Sequence, residues 1–411
     1  MKLTRRSWLR TAAALPLAGG LGLRPARAAP APIKVGILHS LSGTMAISET
    51  ILKDLMLMEI AEQNARGGIL GRQIQPVVVD PASNWPLFAE KARQLLVVDK
   101  VSAVFGCWTS VSRKSVLPVF EELNGLLYYP LEYEGEEQSN NVFYGSSVPD
   151  NKAVPALKWL MSEQGGSVKR FVLEGTDYVY PRTSNTIMRG FLKSVGVADE
   201  DILENYTPFA FSDWQTEVAR IKTFGSNGKK TAVVSTINGD ANVPFYKELG
   251  NQGIKATDIP VIAFSVGEEE LAGIDTRPLV GHMAAWSYFE SVRNPENTKF
   301  IKQWHAYTKD PKKVTNDPME SERDLFHMWV QAVAKAGTPE VDAVRKAMIG
   351  QTVNSPTGFE VKMGANHHMA KPLMIGEVQA NGQFAVVYHT GLIQPNPWSP
   401  YMPSTTKAKT L

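Results

Sequence analysis

The feature that most constrains this 411-residue chain is a repeated alternation of short apolar runs with stretches of helical spacing. Ile33-Lys-Val-Gly-Ile-Leu38 ends at a Ser/Gly-rich turn, His39 to Thr44, after which Ile47, Ile51, Leu55 and Met58 recur at helical intervals until Gly67-Gly68 stops them. This is strand, loop, helix. The unit returns with Ile74 to Val79 before a helix over about 86–98, with Ala103 to Gly106 before a helix from Val111, and with a closing strand, Gly125 to Tyr129. Buried apolar strands alternating with helices predict a parallel sheet covered on both faces.

A second series starts near Asp150: helix 152–164, strand 170–174, helices 182–195 and 213–224, strand 231–235, helix 241–252 and strand 259–263. A third block is helical at 295–308, 318–336 and 339–349, then forms short strands around 359–363, 374–379 and 384–389. The expectation is an α/β chain of two doubly wound parallel-sheet lobes, each about the size of one domain.

Charge separates the N-terminus from the rest. Of 43 basic residues, six (Lys2, Arg5, Arg6, Arg10, Arg24, Arg27) fall in 1–28 with no acid, leaving 37 against 41 acids, a net of −4 for the body. Residues 1–28 read as an export signal: a basic start, the apolar run from Thr11 to Leu23, and Ala26-Arg-Ala28 as a cleavage site. Thr4-Arg-Arg-Ser-Trp-Leu-Arg10 is twin-arginine-like, and the expected destination is the periplasm. No basic patch calls for nucleic acid. The single cysteine, Cys107, excludes an internal disulfide and a cysteine-based zinc site.

The chain carries no His-Glu-x-x-His, no Gly-x-Ser-x-Gly elbow and no Walker loop. Adjacent His367 and His368 would point to opposite faces of a strand, an awkward pair for one metal, so neither a cofactor nor a metal is expected. What stands out is four polar and aromatic loops at the C-terminal ends of expected strands, where open α/β sheets place ligands. They are Gly106 to Ser110, Tyr128 to Gly135, Glu174 to Pro181 and Ser235 to Asp240. Ser110 falls in the first turn of a helix; Trp108, Tyr129, Tyr178 and Tyr180 offer flat walls; Asp240, Glu132 and Glu134 offer acceptors for N–H groups. A cleft of this makeup suits a small, flat, neutral, hydrogen-bonding ligand.

At Phe105-Gly-Cys-Trp-Thr-Ser-Val-Ser-Arg-Lys-Ser-Val-Leu-Pro-Val-Phe-Glu121 the chain resembles the substrate-binding proteins of bacterial urea ABC transporters, within the branched-chain amino acid and amide receptor family. Similar blocks include Gly36 to Met45, Asp80 to Glu90, Tyr133 to Glu137, Gly175 to Arg182, Ser235 to Val243, Asp317 to Glu320 and Asn366 to His368. The resemblance implies a type I periplasmic binding fold, two lobes joined by a three-crossover hinge, with residues 29–148 and 278–352 in the first lobe, 149–277 and 353–395 in the second and 396–411 as a C-terminal tail. It implies capture of urea or a similar small amide by closure, and delivery to an ABC permease in the inner membrane. It also implies a pocket lined by Trp108, Ser110, Tyr129, Tyr178 and Tyr180, with Asp240 added to them. Glu132 stands where the transporter pattern has glutamine. The amide-sensing regulators of aliphatic amidase operons share the Tyr-Pro-x-x-Tyr-Glu-Gly and Asp-Tyr-x-Tyr-Pro-Arg patterns, but such a sensor is cytoplasmic, and the leader here favours the transporter. Two alternatives remain open: a short-chain amide or branched-chain amino acid binder of the same fold, and an exported amidohydrolase using Ser110 or Cys107 with a remote histidine.

Overall fold

The computed structural model describes residues 30–272 and 275–403; the expected export signal and the end of the C-terminal tail lie outside them. Five strands, β1 (Ile33–Leu38), β2 (Ile74–Val79), β3 (Ala103–Gly106), β4 (Leu127–Tyr129) and β5 (Val142–Tyr144), form one sheet in the order β2-β1-β3-β4-β5. Every pair in it is parallel. Helices α1 (Ala46–Ala65), α2 (Trp85–Arg93) and α3 (Ser110–Glu122) connect them. The chain then forms α4 (Ala153–Met161), β6 (Arg170–Thr176), α5 (Val179–Ser194), β7 (Ile202–Thr207), α6 (Gln215–Gly225), β8 (Thr231–Thr236), α7 (Asn242–Asn251), β9 (Val261–Ala263), α8 (Glu268–Ala272) and β10 (Met283–Trp286). It continues through α9 (Pro295–Thr308), α10 (Asp317–Ala336), α11 (Val341–Met348), the hairpin β11 (Thr352–Asn354) with β12 (Glu360–Lys362), β13 (Met374–Val378) and β14 (Phe384–His389). The second sheet has seven strands in the order β14-β13-β10-β9-β8-β6-β7.

Local chemistry sets the boundaries. Asn84, Thr109, Asn294 and Asn316 each cap a helix, their side-chain oxygens accepting a backbone N–H of the first turn. Gly337, at φ 70°, ends α10 in the left-handed region. Gly106 lets β3 approach β1 closely: a Cβ there would stand 2.3 Å from the Leu38 carbonyl oxygen.

The alternation of elements matches the expected α/β class, with three corrections. The expectation put 278–352 wholly in the first lobe, yet β10 pairs with β9 and β13 and belongs to the second sheet. Met-Ala-Ala-Trp is too short a run to read as a strand without its neighbours. At the other boundary, Val353, Val361, Met363 and Met369 pack in the same core as Phe105 and Trp329 of the first lobe, so the last passage between lobes falls near 370 rather than 353. Third, β13 and β14 run antiparallel, so the second sheet is mixed. Strands β5 and β7 are also absent from the sequence reading; β7 is a half-polar edge strand with little apolar signal.

The chain passes between sheets three times, after β5, after β10 and before β13, and the first turn of α10 ties these passages together. Asp317 accepts the Ser287 N–H at 2.8 Å on the second passage and the Ser146 hydroxyl at 3.5 Å on the first. Glu320 accepts Lys371 Nζ on both carboxylate oxygens, at 2.7 and 2.8 Å, on the third, and the Ser355 hydroxyl as well. All of Asp317, Glu320 and Lys371 are buried.

Removing one partner of a buried ion pair leaves an uncompensated charge, at a cost of about 3–5 kcal/mol. Lys371→Met is therefore expected to lower the melting temperature markedly, about 2–4 °C for each kcal/mol in a chain of domains this size. An unchanged melting curve by calorimetry would show that this pair does not hold the passages.

Candidate functional site

The loops at the C-terminal ends of β3 and β4 face those after β6, β8 and β9 and close around a small cavity with about 10 Å³ of free volume. Trp108, Ser110, Leu131 and Glu132 line it from the first lobe, and Tyr178, Tyr180, Asn238, Ser265 and Trp286 from the second. A larger hollow along β14, lined by Val292, Phe359 and Phe384 among others, is open and lies on one sheet's flank, away from these loops.

Of the residues expected at the site, four meet in this cavity: Trp108, Ser110, Tyr178 and Tyr180. Tyr129 stands behind its wall, fully buried, with its hydroxyl donating to the Trp108 carbonyl at 2.6 Å. Asp240 is exposed in the short turn Gly239–Ala241 and lines no part of the cavity; Asn238, two residues earlier, does. Gly239 fixes this arrangement, since at φ 71° it lies against the Thr44 carbonyl of the other lobe, and the turn aims Asn238 inward.

Ser110 opens α3, and its hydroxyl is held from two sides. It donates to Glu134 Oε2 and accepts from Arg113 Nη1 at 3.1 Å. Arg113, buried with its guanidinium 4.4 Å from the centroid of the Tyr133 ring, also bonds Glu134 Oε1 at 3.1 Å and Glu137 Oε1 at 2.8 Å. Although burial opposes ionisation, Arg113 and Lys114 draw the Glu137 carboxyl down to about 2. The Ser110 proton is thus committed to Glu134, and toward the cavity its oxygen offers a lone pair.

Glu132 meets two groups of the other lobe. Its Oε1 receives Lys152 Nζ at 3.0 Å and the Tyr180 hydroxyl at 3.2 Å. Burial pushes its carboxyl up to about 7, with Lys152 pulling the other way. Lys152 lies 3.8 Å over the Trp286 ring centroid and donates to the Phe264 carbonyl at 3.1 Å. Burial lowers the Lys152 pKa, and Glu132 opposes that shift. Sequence reasoning missed Lys152 and Trp286: the first is a lone lysine heading an apolar helix, the second ends the unrecognised β10.

The arrangement offers little to nucleophilic catalysis. Cys107 is buried and its thiol pKa is raised by that burial. Among the described residues no histidine hydrogen-bonds to Cys107 or Ser110; His39 is held by Glu322 at 2.8 Å. His367 and His368 stack on Phe143 and Tyr144 of β5, each with ring centroids 4.3 Å apart, and so belong to the packing of the first lobe.

Comparison with known proteins places the chain in a family. A family model described as a periplasmic binding protein domain matches residues 33–404. The Leu/Ile/Val-binding protein homolog 7 of Brucella melitensis is 23% identical over 386 residues, covering 89% of this chain and 94% of that protein. A solute binding protein of an ABC transporter from Rhodopseudomonas palustris HaA2, solved in complex with p-hydroxybenzoic acid, shares the fold with a TM-score of 0.78 at 20% identity, over 90% of this chain and 99% of its own. Limonene hydroxylase of Geobacillus stearothermophilus matches at 28% identity over 126 residues, 30% of this chain and 22% of that protein. The chain belongs to the periplasmic binding protein family.

One carboxyl at the foot of a site loop gives a pH prediction. Burial pushes Glu174, near the end of β6, up to about 8, against a hydrogen bond from Asn205 at 3.0 Å. Because its folded pKa exceeds the unfolded one, its stabilising contribution is complete below the ordinary glutamate range and is lost as pH rises from there through about 8. Glu174→Gln should melt above the parent at pH 8.5, with the gap closing toward pH 5. A gap independent of pH would remove this carboxyl as its source.

Proposed function

We propose that this periplasmic binding protein captures a small neutral amide, urea foremost, between its two lobes and delivers it to an ABC-type permease in the inner membrane, with no chemistry of its own. The carrying observation is the cavity itself. With about 10 Å³ of free volume it is far smaller than the roughly 300–1,000 Å³ typical of sites for drug-sized ligands, and only a solute of a few atoms is accommodated by a slight parting of its walls. Trp108, Tyr178, Tyr180 and Trp286 give it flat walls, and the cations beside it, Arg113 and Lys152, are already paired with carboxylates. Such a site favours a flat, uncharged solute over one that brings its own carboxylate.

The polar groups fit the same class. Urea carries one carbonyl and four N–H donors, so it needs mostly acceptors around it. Ser110 offers a lone pair, and Asn238, whose side-chain nitrogen bonds the Thr236 carbonyl at 3.1 Å, offers its side-chain oxygen. The basic leader in 1–28 supports export to the periplasm, and a cavity lined from both lobes supports capture by hinge closure.

The names of the relatives favour a second reading, a receptor for a branched-chain amino acid or an aromatic acid. It requires a wider cavity and the release of Lys152 or Arg113 from its carboxylate to meet the ligand's own.

Thermal unfolding of residues 29–411 with urea, formamide, acetamide, leucine and 4-hydroxybenzoate separates the two. A ligand at 100 times its Kd adds about 2.7 kcal/mol and a visible rise in Tm. A saturable rise with urea or a short amide is expected; a rise with leucine or the benzoate alone selects the second reading. Ser110→Ala and Tyr178→Phe should each weaken amide binding by about 1–3 kcal/mol. Parent-like affinity of both in calorimetry would move the site elsewhere.

A further inference from the structure

We infer that Glu132 is the specificity-determining acceptor of the cavity, its Oε2 receiving an N–H of an uncharged amide while Lys152 holds Oε1. This rests on the amide reading above and names which residue selects the ligand within it. The observation is an orphaned atom: Glu132 lines the cavity, its side chain is only 5% exposed, and Oε2 has no hydrogen-bond partner. Its other oxygen takes both protein donors, Lys152 Nζ at 3.0 Å and the Tyr180 hydroxyl at 3.2 Å. Buried polar atoms in folded proteins are almost always satisfied, so an unsatisfied one on a cavity-lining residue marks where a ligand atom belongs.

The pair's geometry determines which atom. Lys152 is fixed by the Phe264 carbonyl and the face of Trp286, so it cannot swing to a second acceptor without leaving both. With its positive charge met by Glu132, the pair is neutral overall and offers the ligand a carboxylate lone pair. An amide N–H fills that position. A ligand carboxylate would set oxygen against oxygen, and a methyl group there would leave Oε2 unsatisfied, which is how a buried acceptor rejects analogues lacking the donor. Glu132 sits on the first lobe, Lys152 and Tyr180 on the second, so the pair is assembled by closure, and the ligand that completes it favours the closed form.

Glu132→Gln tests this with little change of shape. Lysine can only donate, so the amide oxygen of the glutamine must face Lys152, and its NH₂ then replaces Oε2 as a donor facing the ligand. Calorimetric titration of the mature chain with urea and with acetate is expected to show urea affinity falling about tenfold or more. Acetate affinity should rise, because Lys152 is no longer neutralised. A purely structural role would weaken both ligands alike, and that result, or unchanged urea affinity, overturns the assignment while leaving the amide reading in place. Absence of amide binding by the parent protein overturns both. Should the glutamine variant fail to fold, Lys152→Met makes the test: without its cation Glu132 holds a proton, urea binding falls about tenfold or more and acetate gains nothing, whereas parent-like urea affinity refutes the inference.

Discussion

The molecule depends on a buried knot of charge at the first turn of α10. A two-lobed chain with three passages between its sheets needs something to hold those passages in register while permitting rotation. Asp317 takes hydrogen bonds from the first and second, and Glu320 takes Lys371 from the third. Buried ion pairs are weak evidence of net stability, since desolvation offsets most of their attraction. Their effect here is geometric: charges that must stay paired in a dry interior fix which backbone atoms meet, and those atoms are the hinge. The cavity loops inherit their positions from this point.

Around the cavity the lobes meet through contacts unlike those of a core. Ser48 on α1 donates to Glu270 on α8 at 2.6 Å, the rings of Trp85 and Phe209 stand 5.4 Å apart, and Gly239 lies against Thr44. Glu132 with Lys152 and Tyr180 completes the set. These are small patches of polar and aromatic contact, the kind that can part without exposing a large apolar surface. The structure thus describes lobes drawn together over the cavity by contacts that a hinge motion can break.

Much of the architecture was legible because helical and strand periodicities are local properties. The β1–α1 and β2–α2 units follow from spacing alone, and the loops that carry Trp108, Ser110, Tyr178 and Tyr180 could be found because ligand loops follow strands in such sheets. Strands β5, β7 and β10 were not legible. Three- and four-residue runs, or a half-polar edge, carry too little signal until a neighbour supplies their hydrogen bonds. The lobe boundaries near 283 and 370 failed for the same cause: membership of a sheet is decided by pairing partners far away in the chain.

The sequence by itself determined the α/β class, the charged leader ahead of a mildly acidic body, and which loops bear the aromatic walls, because each is written in composition or short-range spacing. Only the tertiary structure decided that Tyr129 stands behind the wall while Asp240 faces solvent, that the Ser110 proton belongs to Glu134, and that Lys152 crosses to Glu132. Side-chain direction at a turn, and the partner of a buried charge, depend on residues brought together from distant parts of the chain. Low dielectric then makes each such pairing exclusive, a constraint that no local pattern encodes.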